Sequence, residues 1–536
     1  MKTLLLGLDG ATFTALNPMI EAGVMPFMKS LIHKGVKAEL MSTPCPVTPP
    51  AWTSMITGRG PGHHGIFDFI RSEEVNDENG TRLSFRLANA RDIQSEPIWQ
   101  LTARQGKKTG VLNFPATYLC YPFDGYIVPG FVTSRVLRSG TYPRAFWDQI
   151  KDLPGFDVKD TSWDLDEGRK PLGSSLDFQN LKTWIDYLKR KENGWFAIAK
   201  ELIENTDTEL IAMVFEGVDR LQHQVWRLLD PEFYPKNPEP WEVEARDYSY
   251  TYFNHLDGLL KQLVEAAGEE SRAIVVSDHG FGSTTEVFYI NAWLEKEGYL
   301  TWKSTAEEDD KESLTAHNMR DHFETIDFDK TVAYAKTTSA NGVYIRIAKK
   351  EGQSGIAPEQ HEMFCKEIET KLLDWKDPKT GTPVVINTIR RERAFPGVAM
   401  EEAPDITVYL RDGGFISIMK SNEIVKPRSE VKGTHRPNGI FIASGKNIEK
   451  GKEIGKLSIL DVAPTLLYSM GLSIPTNYDG KVALDAFDSD YITVNPPVIA
   501  DVSQEDEVAK NSKAGDVEEN DENVILERLK SLGYME

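Results

Sequence analysis

Five short apolar runs recur along this chain, separated by longer segments in which apolar residues return every three or four positions. Each run has the length and β-branched content of a strand that is buried on both faces. The runs are TLLLGLD (3–9), KTGVLNF (108–114), ELIAMVFEGVD (209–219), RAIVVSDHG (272–280) and NGIFIASG (438–445). The segments between them, such as SYTYFNHLDGLLKQLVEAAGEE (249–270), have the period of amphipathic helices. This alternation predicts an α/β fold with a largely parallel central sheet and helices on both faces.

The alternation is interrupted in the second half of the chain. Between about 283 and 400 the sequence is rich in charged residues, Trp and Tyr, and its clearest helical pattern is PEQHEMFCKEIETKLLDW (358–375). We therefore expect an inserted cap over 283–400, which divides the α/β core into 1–282 and 401–497. The acidic, weakly hydrophobic stretch 498–523 predicts a disordered linker. The last residues, VILERLKSLGYME (524–536), predict a short C-terminal helix that docks on this chain or on a partner.

The composition excludes several classes of protein. Lys and Arg number 61 against 82 Asp and Glu, a formal net charge of −21, so a basic nucleic-acid-binding surface is not expected. The three cysteines have no CxxC spacing, which argues against a disulfide framework and against a cysteine-ligated zinc cluster. The chain lacks a run of about 18 apolar residues, so no membrane span is predicted. The apolar N-terminal run stops at Asp9, too soon for a signal peptide, and we expect a cytoplasmic protein.

Three of the predicted strands end in an aspartate: Asp9, Asp219 and Asp278. One such residue is most simply a helix cap or a turn former, but three are harder to explain in that way. In open α/β sheets the carboxyl ends of the strands gather around the ligand, so residues far apart in sequence can meet there.

Histidines accompany these aspartates. His223 follows Asp219 by four residues, a spacing that places two ligands on one helical face, and His279 directly follows Asp278. His435 lies in the glycine-flanked segment KGTHRPNG (432–439), which we expect to be a loop before the last strand. The remaining histidines outside the glycine-rich motif lack acidic partners at ligand spacing and are expected mainly at the surface; they are His33, His255, His317, His322 and His361.

The segment TPPAWTSMITGRGPGHHG (48–65) combines hydroxyl residues with a glycine-rich turn. It is not a P-loop, because His63 and His64 stand where that motif requires Lys and Ser or Thr. The two prolines after Thr48 suit the first turn of a helix and place Thr48 just outside its N-terminus, where backbone N–H groups favour an anion. The other hydroxyls, Thr53, Ser54 and Thr57, are better explained by capping or packing.

Taken together and in this order, these motifs resemble the alkaline-phosphatase superfamily over about the first 500 residues, and most closely its type I phosphodiesterase and nucleotide pyrophosphatase branch. A group of prokaryotic predicted phosphohydrolases or phosphomutases of the superfamily is similar as well. The resemblance implies an alkaline-phosphatase-like fold and a small-molecule phosphate ester as substrate. It also implies two divalent metal ions, zinc or else manganese, which the mixture of imidazole and carboxylate accepts.

Carried over residue by residue, the resemblance assigns one metal ion to Asp219, His223 and His435. It assigns the other to Asp9, Asp278 and His279, with Thr48 bridging toward this second ion. Thr48 becomes the nucleophile of a phosphohydrolase that forms a covalent phosphothreonine. His64 is not a ligand in the resembling family and is expected to brace the turn.

The chain departs from the nucleotide pyrophosphatases at one position. Those enzymes hold the phosphate with an Asn some twenty residues beyond the nucleophile, and Phe69 occupies that place here. Arg71 or Asn113 would then have to contact the substrate. Two other functions stay open at this point: a phosphomutase of the same superfamily, and a catalytically silent binding protein that keeps the fold.

Overall fold

The computed structural model describes residues 1–77, 80–163, 178–303, 322–348 and 353–504, with the backbone alone over 73–84. The strands are β1 (Thr3–Leu8), β2 (Gly35–Met41), β3 (Ile70–Asp77), β4 (Gly80–Leu87), β5 (Thr109–Leu112), β6 (Gly125–Val128), β7 (Leu210–Phe215), β8 (Arg272–Val276), β9 (Gly280–Tyr289), β10 (Ala333–Tyr334), β11 (Gly342–Ile345), β12 (Val385–Arg390), β13 (Ile406–Leu410), β14 (Ile416–Ser417), β15 (Val425–Arg436), β16 (Asn438–Gly445), β17 (Lys452–Glu453), β18 (Leu457–Ser458), β19 (Ile474–Pro475) and β20 (Ile499–Ala500).

The α-helices are α1 (Phe13–Glu21), α2 (Pro26–Lys34), α3 (Thr48–Thr57), α4 (Pro61–His64), α5 (Ile98–Arg104), α6 (Ser134–Gly140), α7 (Arg144–Ile150), α8 (Val158–Thr161), α9 (Phe178–Asn205), α10 (Gly217–Leu229), α11 (Pro240–Ala267), α12 (Ile290–Lys296), α13 (His361–Leu373), α14 (Arg391–Ala394), α15 (Val462–Ser469) and α16 (Ser489–Val494). Single 3₁₀ turns occupy Ala90–Asp92, Pro358–Gln360, Met400–Glu402, Ile459–Asp461 and Leu484–Ala486.

A large, mostly parallel sheet forms the centre of the molecule. Its strand order is β17-β2-β16-β8-β1-β7-β5-β6, with β18 also paired to β2. The five strands from β8 to β6 run parallel, whereas β16 is antiparallel to both β8 and β2. All five apolar runs of the sequence are strands of this sheet, so the predicted α/β class with its largely parallel sheet is confirmed.

Helices cover both faces of the sheet. Successive side chains of a strand point to opposite faces, so those of each buried strand enter two different cores. In β1, Leu4 and Leu6 belong to the core beneath α9 and α11, whereas Leu5 belongs to the core beneath α3, α5 and α15. Every residue of β1 and β7 is buried. Burial on both faces explains why these strands are continuous apolar runs rather than alternating patterns.

Smaller sheets follow β8 in the sequence. Strands β9 and β15 form a long antiparallel pair, and β14 joins this pair. Strands β10, β11, β13 and β12 form a separate four-stranded sheet. The cap boundaries 283 and 400 stay a prediction, as does the division of the core around them.

The remaining expectations concern the C-terminal segments, membrane-spanning helices and the cysteines. Most of the linker predicted over 498–523 and all of the helix predicted over 524–536 lie outside the described residues. Within the described ranges, every helix is too short or too polar to cross a bilayer. The three cysteines are free thiols.

Candidate active site

Three neighbouring strands of the parallel sheet, β8, β1 and β7, bring the three aspartates to one edge. Asp9 directly follows β1, and Asp278 comes two residues after β8. The expectation that Asp219 ends a strand is wrong, because β7 stops at Phe215 and a turn through Glu216 leads into α10. Asp219 therefore lies in the first turn of α10. All three carboxylates are buried, with at most 1% of each residue exposed.

The first group of donors combines Asp219 and His223 of α10 with His435. The helical spacing of four residues places His223 Nε2 3.5 Å from Asp219 Oδ1, as predicted from the sequence. His435 Nε2 lies 3.3 Å from the same oxygen and 3.1 Å from His223 Nε2. The predicted loop around His435 is wrong, because this residue belongs to β15 and pairs with Phe281 of β9. That ladder, rather than a turn, brings His435 to the other donors.

The second group of donors consists of Asp9, Asp278 and His279, with Thr48 beside them. His279 Nε2 is 3.3 Å from Asp278 Oδ2 and 3.6 Å from Asp9 Oδ1. Thr48 Oγ1 is 3.4 Å from the same nitrogen. The rings of His279 and His435 stack with their centroids 3.7 Å apart, so the two groups of donors are contiguous.

The distances within both groups suit a tetrahedral cation. When four ligands each lie about 2.0–2.1 Å from a zinc ion, neighbouring ligand atoms are about 3.3 Å apart. The separations among the three donors of the first group are 3.1, 3.3 and 3.5 Å, and those from His279 Nε2 to Asp278, Thr48 and Asp9 in the second are 3.3, 3.4 and 3.6 Å. Asp9 Oδ1 and Asp278 Oδ2 are also buried without a hydrogen-bond donor among the described residues, which a cation would correct.

Backbone carbonyls select the tautomer of the imidazoles that metal binding requires. His435 donates from Nδ1 to the carbonyl oxygen of Pro46 at 2.8 Å, and His279 donates from Nδ1 to that of Gly280 at 3.0 Å. The ring of His223 is hydrogen-bonded to the backbone of Gly433. With the proton on Nδ1, the lone pair of Nε2 faces the centre of each group, as in outer-shell support of metal ligands.

Burial controls the charges of these side chains. It lowers the pKa of His223 to about 4 and that of His435 to about 3, and it lowers the pKa of His279 well below its ordinary value. The imidazoles are therefore neutral at pH 7 and can act as ligands. Burial, with neighbouring carboxylates, raises the pKa of Asp9 and Asp278 well above the ordinary value. Such a cluster favours bound positive charge.

A third group of donor types, in the region predicted as the cap, does not have this geometry. His361 Nε2 lies only 2.7 Å from Asp405 Oδ1, a hydrogen-bond distance rather than the separation of two ligands. Arg391 Nη1 lies 3.3 Å from the same oxygen, and Cys365 Sγ is 3.4 Å from His361 Nε2. His361 is thus hydrogen-bonded to Asp405, which Arg391 also contacts, and Asp405 lies far from His361 in sequence rather than at ligand spacing. His322 is buried, and His317 lies outside the described residues.

Thr48 begins the helix that follows it. The expectation that Thr48 lies just outside the helix is off by one residue, because α3 includes it and Val47 is the N-cap. Pro49 and Pro50 have no N–H group, so the backbone donors expected at this terminus are reduced to that of Thr48 in the first three helical positions.

The other side chains of the motif are engaged elsewhere. Thr57 Oγ1 donates to the carbonyl of Thr53 at 2.7 Å, and Ser54 Oγ contacts His64 Nε2 at 2.9 Å. His64 Nδ1 accepts from the backbone of Ile66 at 3.1 Å. Burial lowers the pKa of His64 to about 3, so a neutral ring braces the turn, as expected from the sequence.

The two candidate substrate contacts are occupied by protein groups. Arg71 lies in ion-pair range of Asp92 and Glu402. Asn113 is fully buried and donates from Nδ2 to the carbonyl of Val214 at 2.9 Å. Their role in binding substrate stays a prediction.

Sequence reasoning missed the residues that support the donors. Gly10 has a φ of +66°, and a Cβ there would lie 2.9 Å from Asp219 Oδ1. Its N–H donates to Asp278 Oδ1 at 3.1 Å, and Trp52 Nε1 lies 3.5 Å from Asp9 Oδ2. The spacing of Thr48 and Trp52 on one helical face was an available signal. Nothing in the sequence around either residue indicated that Gly10 lies close to Asp219.

A parallel α/β sheet whose carboxyl edge holds two groups of carboxylate and imidazole donors beside a hydroxyl is typical of metal-dependent hydrolases of phosphoric esters, and this chain is one of them. The chain belongs to the type I phosphodiesterase / nucleotide pyrophosphatase family, whose sequence model matches residues 3–438.

Two solved structures share the fold at low sequence identity. Human ectonucleotide pyrophosphatase/phosphodiesterase 5 is 15% identical, with a TM-score of 0.51, covering 91% of this chain and 100% of the other. The murine protein of the same name is 16% identical, with a TM-score of 0.50, covering 88% of this chain and 95% of the other. Among curated protein sequences, none matches this chain significantly.

Proposed function

We propose that this protein hydrolyses a phosphodiester or pyrophosphate of a small molecule, with Thr48 as the nucleophile. The proposed cofactors are two divalent cations, and zinc is the first candidate for both. The observation that carries the proposal is the position of Thr48 Oγ1, buried and 3.4 Å from His279 Nε2, beside the donors Asp9 and Asp278. Membership of the type I phosphodiesterase / nucleotide pyrophosphatase family supports the substrate class.

In this proposal Asp219, His223 and His435 hold one cation, and Asp9, Asp278 and His279 hold the other. The bound cations would lower the pKa of the threonine hydroxyl, neutralise the phosphoryl oxygens and stabilise the leaving alkoxide. The chain itself supplies the neutral imidazoles, the three carboxylates and the buried position of the hydroxyl.

The reaction has two displacements at phosphorus. Thr48 Oγ1 gives up its proton to solvent and forms a bond to phosphorus while the bond to the leaving oxygen breaks, and the leaving group takes up a proton from solvent. A water oxygen then attacks the phosphothreonine, Oγ1 departs and regains a proton, and the phosphate product leaves. Thr48 is thus phosphorylated once in each turnover and regenerated.

The test compares Thr48→Ala with Thr48→Ser on aryl diesters, aryl monoesters, nucleoside pyrophosphates and, as a control, sulfate esters. We expect Thr48→Ala to lose at least about 10³-fold in kcat while keeping its zinc, because only the attacking oxygen is removed. Thr48→Ser keeps that oxygen and should retain measurable turnover. Acid-quenched wild-type protein should carry a phosphoryl group on the peptide that contains Thr48. Full turnover by zinc-loaded Thr48→Ala on every ester would remove Thr48 from the mechanism.

A second measurement separates hydrolysis from phosphoryl return to a sugar. In ¹⁸O-labelled water a hydrolase places one labelled oxygen in the released phosphate. A phosphomutase would instead move phosphate between carbons of one sugar phosphate and release little of it.

A further inference from the structure

Charged side chains are fully buried where α9 meets the start of α10. Lys191 and Glu192 are consecutive residues of α9, and Glu216 is the N-cap residue of α10; each is at most 1% exposed. Lys and Glu are rarely buried unless they are paired. Their partners show that these side chains connect the two helices.

Lys191 and Glu216 form the first connection. Lys191 Nζ lies 2.7 Å from Glu216 Oε1 and also donates to the carbonyls of Thr161 and Ser162 at 2.7 and 3.0 Å. The indole N–H of Trp163 donates to Glu216 Oε2 at 3.0 Å. Glu216 is thereby held from two sides at the point where the chain leaves β7.

Glu192 forms the second connection. Its Oε1 accepts from the backbone N–H of Gly217, the first residue of α10, at 2.8 Å, and from the hydroxyl of Tyr252 at 2.9 Å. The N–H of a first helical residue has no partner within its own helix, so a side chain of α9 supplies it. A Cβ on Gly217 would lie 2.7 Å from Glu192 Oε1, so glycine permits this close approach.

Both connections act on the turn that carries donors of the first group. Asp219 lies two residues after Gly217, and His223 follows one helical turn later. Burying charges costs desolvation that apolar side chains would avoid, so a buried ionic network is weak evidence for stability and better evidence for a fixed position. Here the position that is fixed is the first turn of α10.

We propose that Lys191, Glu192 and Glu216 are positioning residues, which orient the first turn of α10 and thereby set the affinity of the Asp219, His223 and His435 group for its cation. The proposal rests on the two-cation function proposed above. It predicts that weakening these contacts affects one of the two cations selectively.

The experiment titrates zinc into the metal-free, full-length protein in competition with a chromophoric chelator. His223→Ala identifies which of two binding steps belongs to the Asp219, His223 and His435 group. Glu192→Leu removes both acceptor oxygens and should weaken that step by about 10–100-fold, the range for loss of outer-shell support. The other step should change by less than about threefold. Glu192→Gln keeps one acceptor for Gly217 and should restore most of the affinity.

A matched control is available in α11. Asp257 accepts from the N–H groups of Phe27 and Met28 at 2.8 Å each, so it also caps a helix, α2, but that helix holds no donor of either group. Asp257→Leu should lower the melting temperature of the metal-free protein as Glu192→Leu does, yet leave both zinc steps unchanged. Should Glu192→Leu not fold, Trp163→Phe removes the indole N–H that Glu216 accepts, together with part of a fully buried ring, and should weaken the same step.

The outcomes are distinct. Wild-type protein that binds no zinc overturns this proposal together with the proposed function. Wild-type protein that binds two zinc ions, with folded Glu192→Leu or Trp163→Phe weakening neither step or both steps equally, overturns this proposal alone.

Discussion

Single backbone atoms decide whether the two groups of donors can bind cations. The carbonyl oxygens of Pro46 and Gly280 keep the protons of His435 and His279 on Nδ1, which leaves Nε2 to face Asp219 in one group and Asp278 in the other. Residue types do not reveal these hydrogen bonds, because the backbone carbonyl of any residue could accept them. The absence of a side chain at Gly10 is equally important, since that residue has left-handed backbone and touches Asp219.

Gly10→Ala should weaken zinc binding and lower kcat. The new Cβ would lie 2.9 Å from Asp219 Oδ1, and the φ of +66° strains any side chain by about 1 kcal/mol. The matched control is Gly23→Ala, where φ is +77° but nothing lies within 4 Å of the added Cβ. Calorimetric zinc titration and ester hydrolysis should separate the two variants. Equal zinc affinity in Gly10→Ala and Gly23→Ala would mean that contact with Asp219 is unimportant.

Contacts between helices place the donors that single strands cannot. Helix α10 carries Asp219 and His223 one turn apart, and its start is held by α9 through Glu192 and Glu216. Burial, the largest effect on Glu192, raises the pKa of its carboxyl from 4.5 to about 7, although Lys191 and Arg220 oppose the rise. The contribution of Glu192 to stability therefore depends on pH between these two values.

The sign of this dependence follows from the raised pKa. The folded protein holds the Glu192 proton up to about pH 7, whereas the unfolded chain loses it near 4.5, so this contribution to stability is lost as pH rises between these values. Wild-type protein should lose up to about 3 kcal/mol relative to Glu192→Gln over that range. Urea unfolding of both metal-free proteins from pH 4.5 to 8 measures the difference. A constant difference across the range would show that Glu192 titrates normally.

At the level of the molecule, the small sheets contact the segment that leads to Thr48. Cys45 Sγ donates to the carbonyl of Ala340 at 2.9 Å, and the hydroxyl of Tyr409 donates to that of Pro44 at 3.2 Å. Asp68 accepts from the hydroxyls of Thr337 and Ser339 at 2.6 Å each. Residues 337–340, within the region predicted as a cap, and Tyr409 of β13 therefore contact segments on either side of α3, the helix that begins at Thr48.

Asp68→Ala should lower both stability and kcat, while zinc binding stays intact. The change leaves two buried hydroxyls without their acceptor, at a cost of about 2–4 kcal/mol, and loosens the segment before Thr48. Asp377→Ala is the control, since Asp377 accepts from the backbone of Lys379, the hydroxyl of Thr380 and, at 3.2 Å, the guanidinium of Arg411, rather than from residues 337–340. The control should lose stability alone. Unfolding and steady-state kinetics test this, and an unchanged kcat in a less stable Asp68→Ala would separate the small sheets from catalysis.

The sequence alone predicted the features that depend on residues close together along the chain. The apolar runs identified four of the five parallel strands and the antiparallel β16, because burial on both faces requires apolar side chains at consecutive positions; the short parallel strand β6 was missed. The spacing of Asp219 and His223 indicated one helical face, because the helix has 3.6 residues per turn.

The sequence alone did not predict the contacts between residues that are far apart along the chain. The pairing of β15 with β9 brings His435 to His223, and the packing of α9 against α10 buries Lys191 and Glu192, residue types that are usually exposed. Periodicity depends on neighbours within a few residues, whereas the burial of a charge and the meeting of ligands depend on which surfaces come together when the whole chain folds.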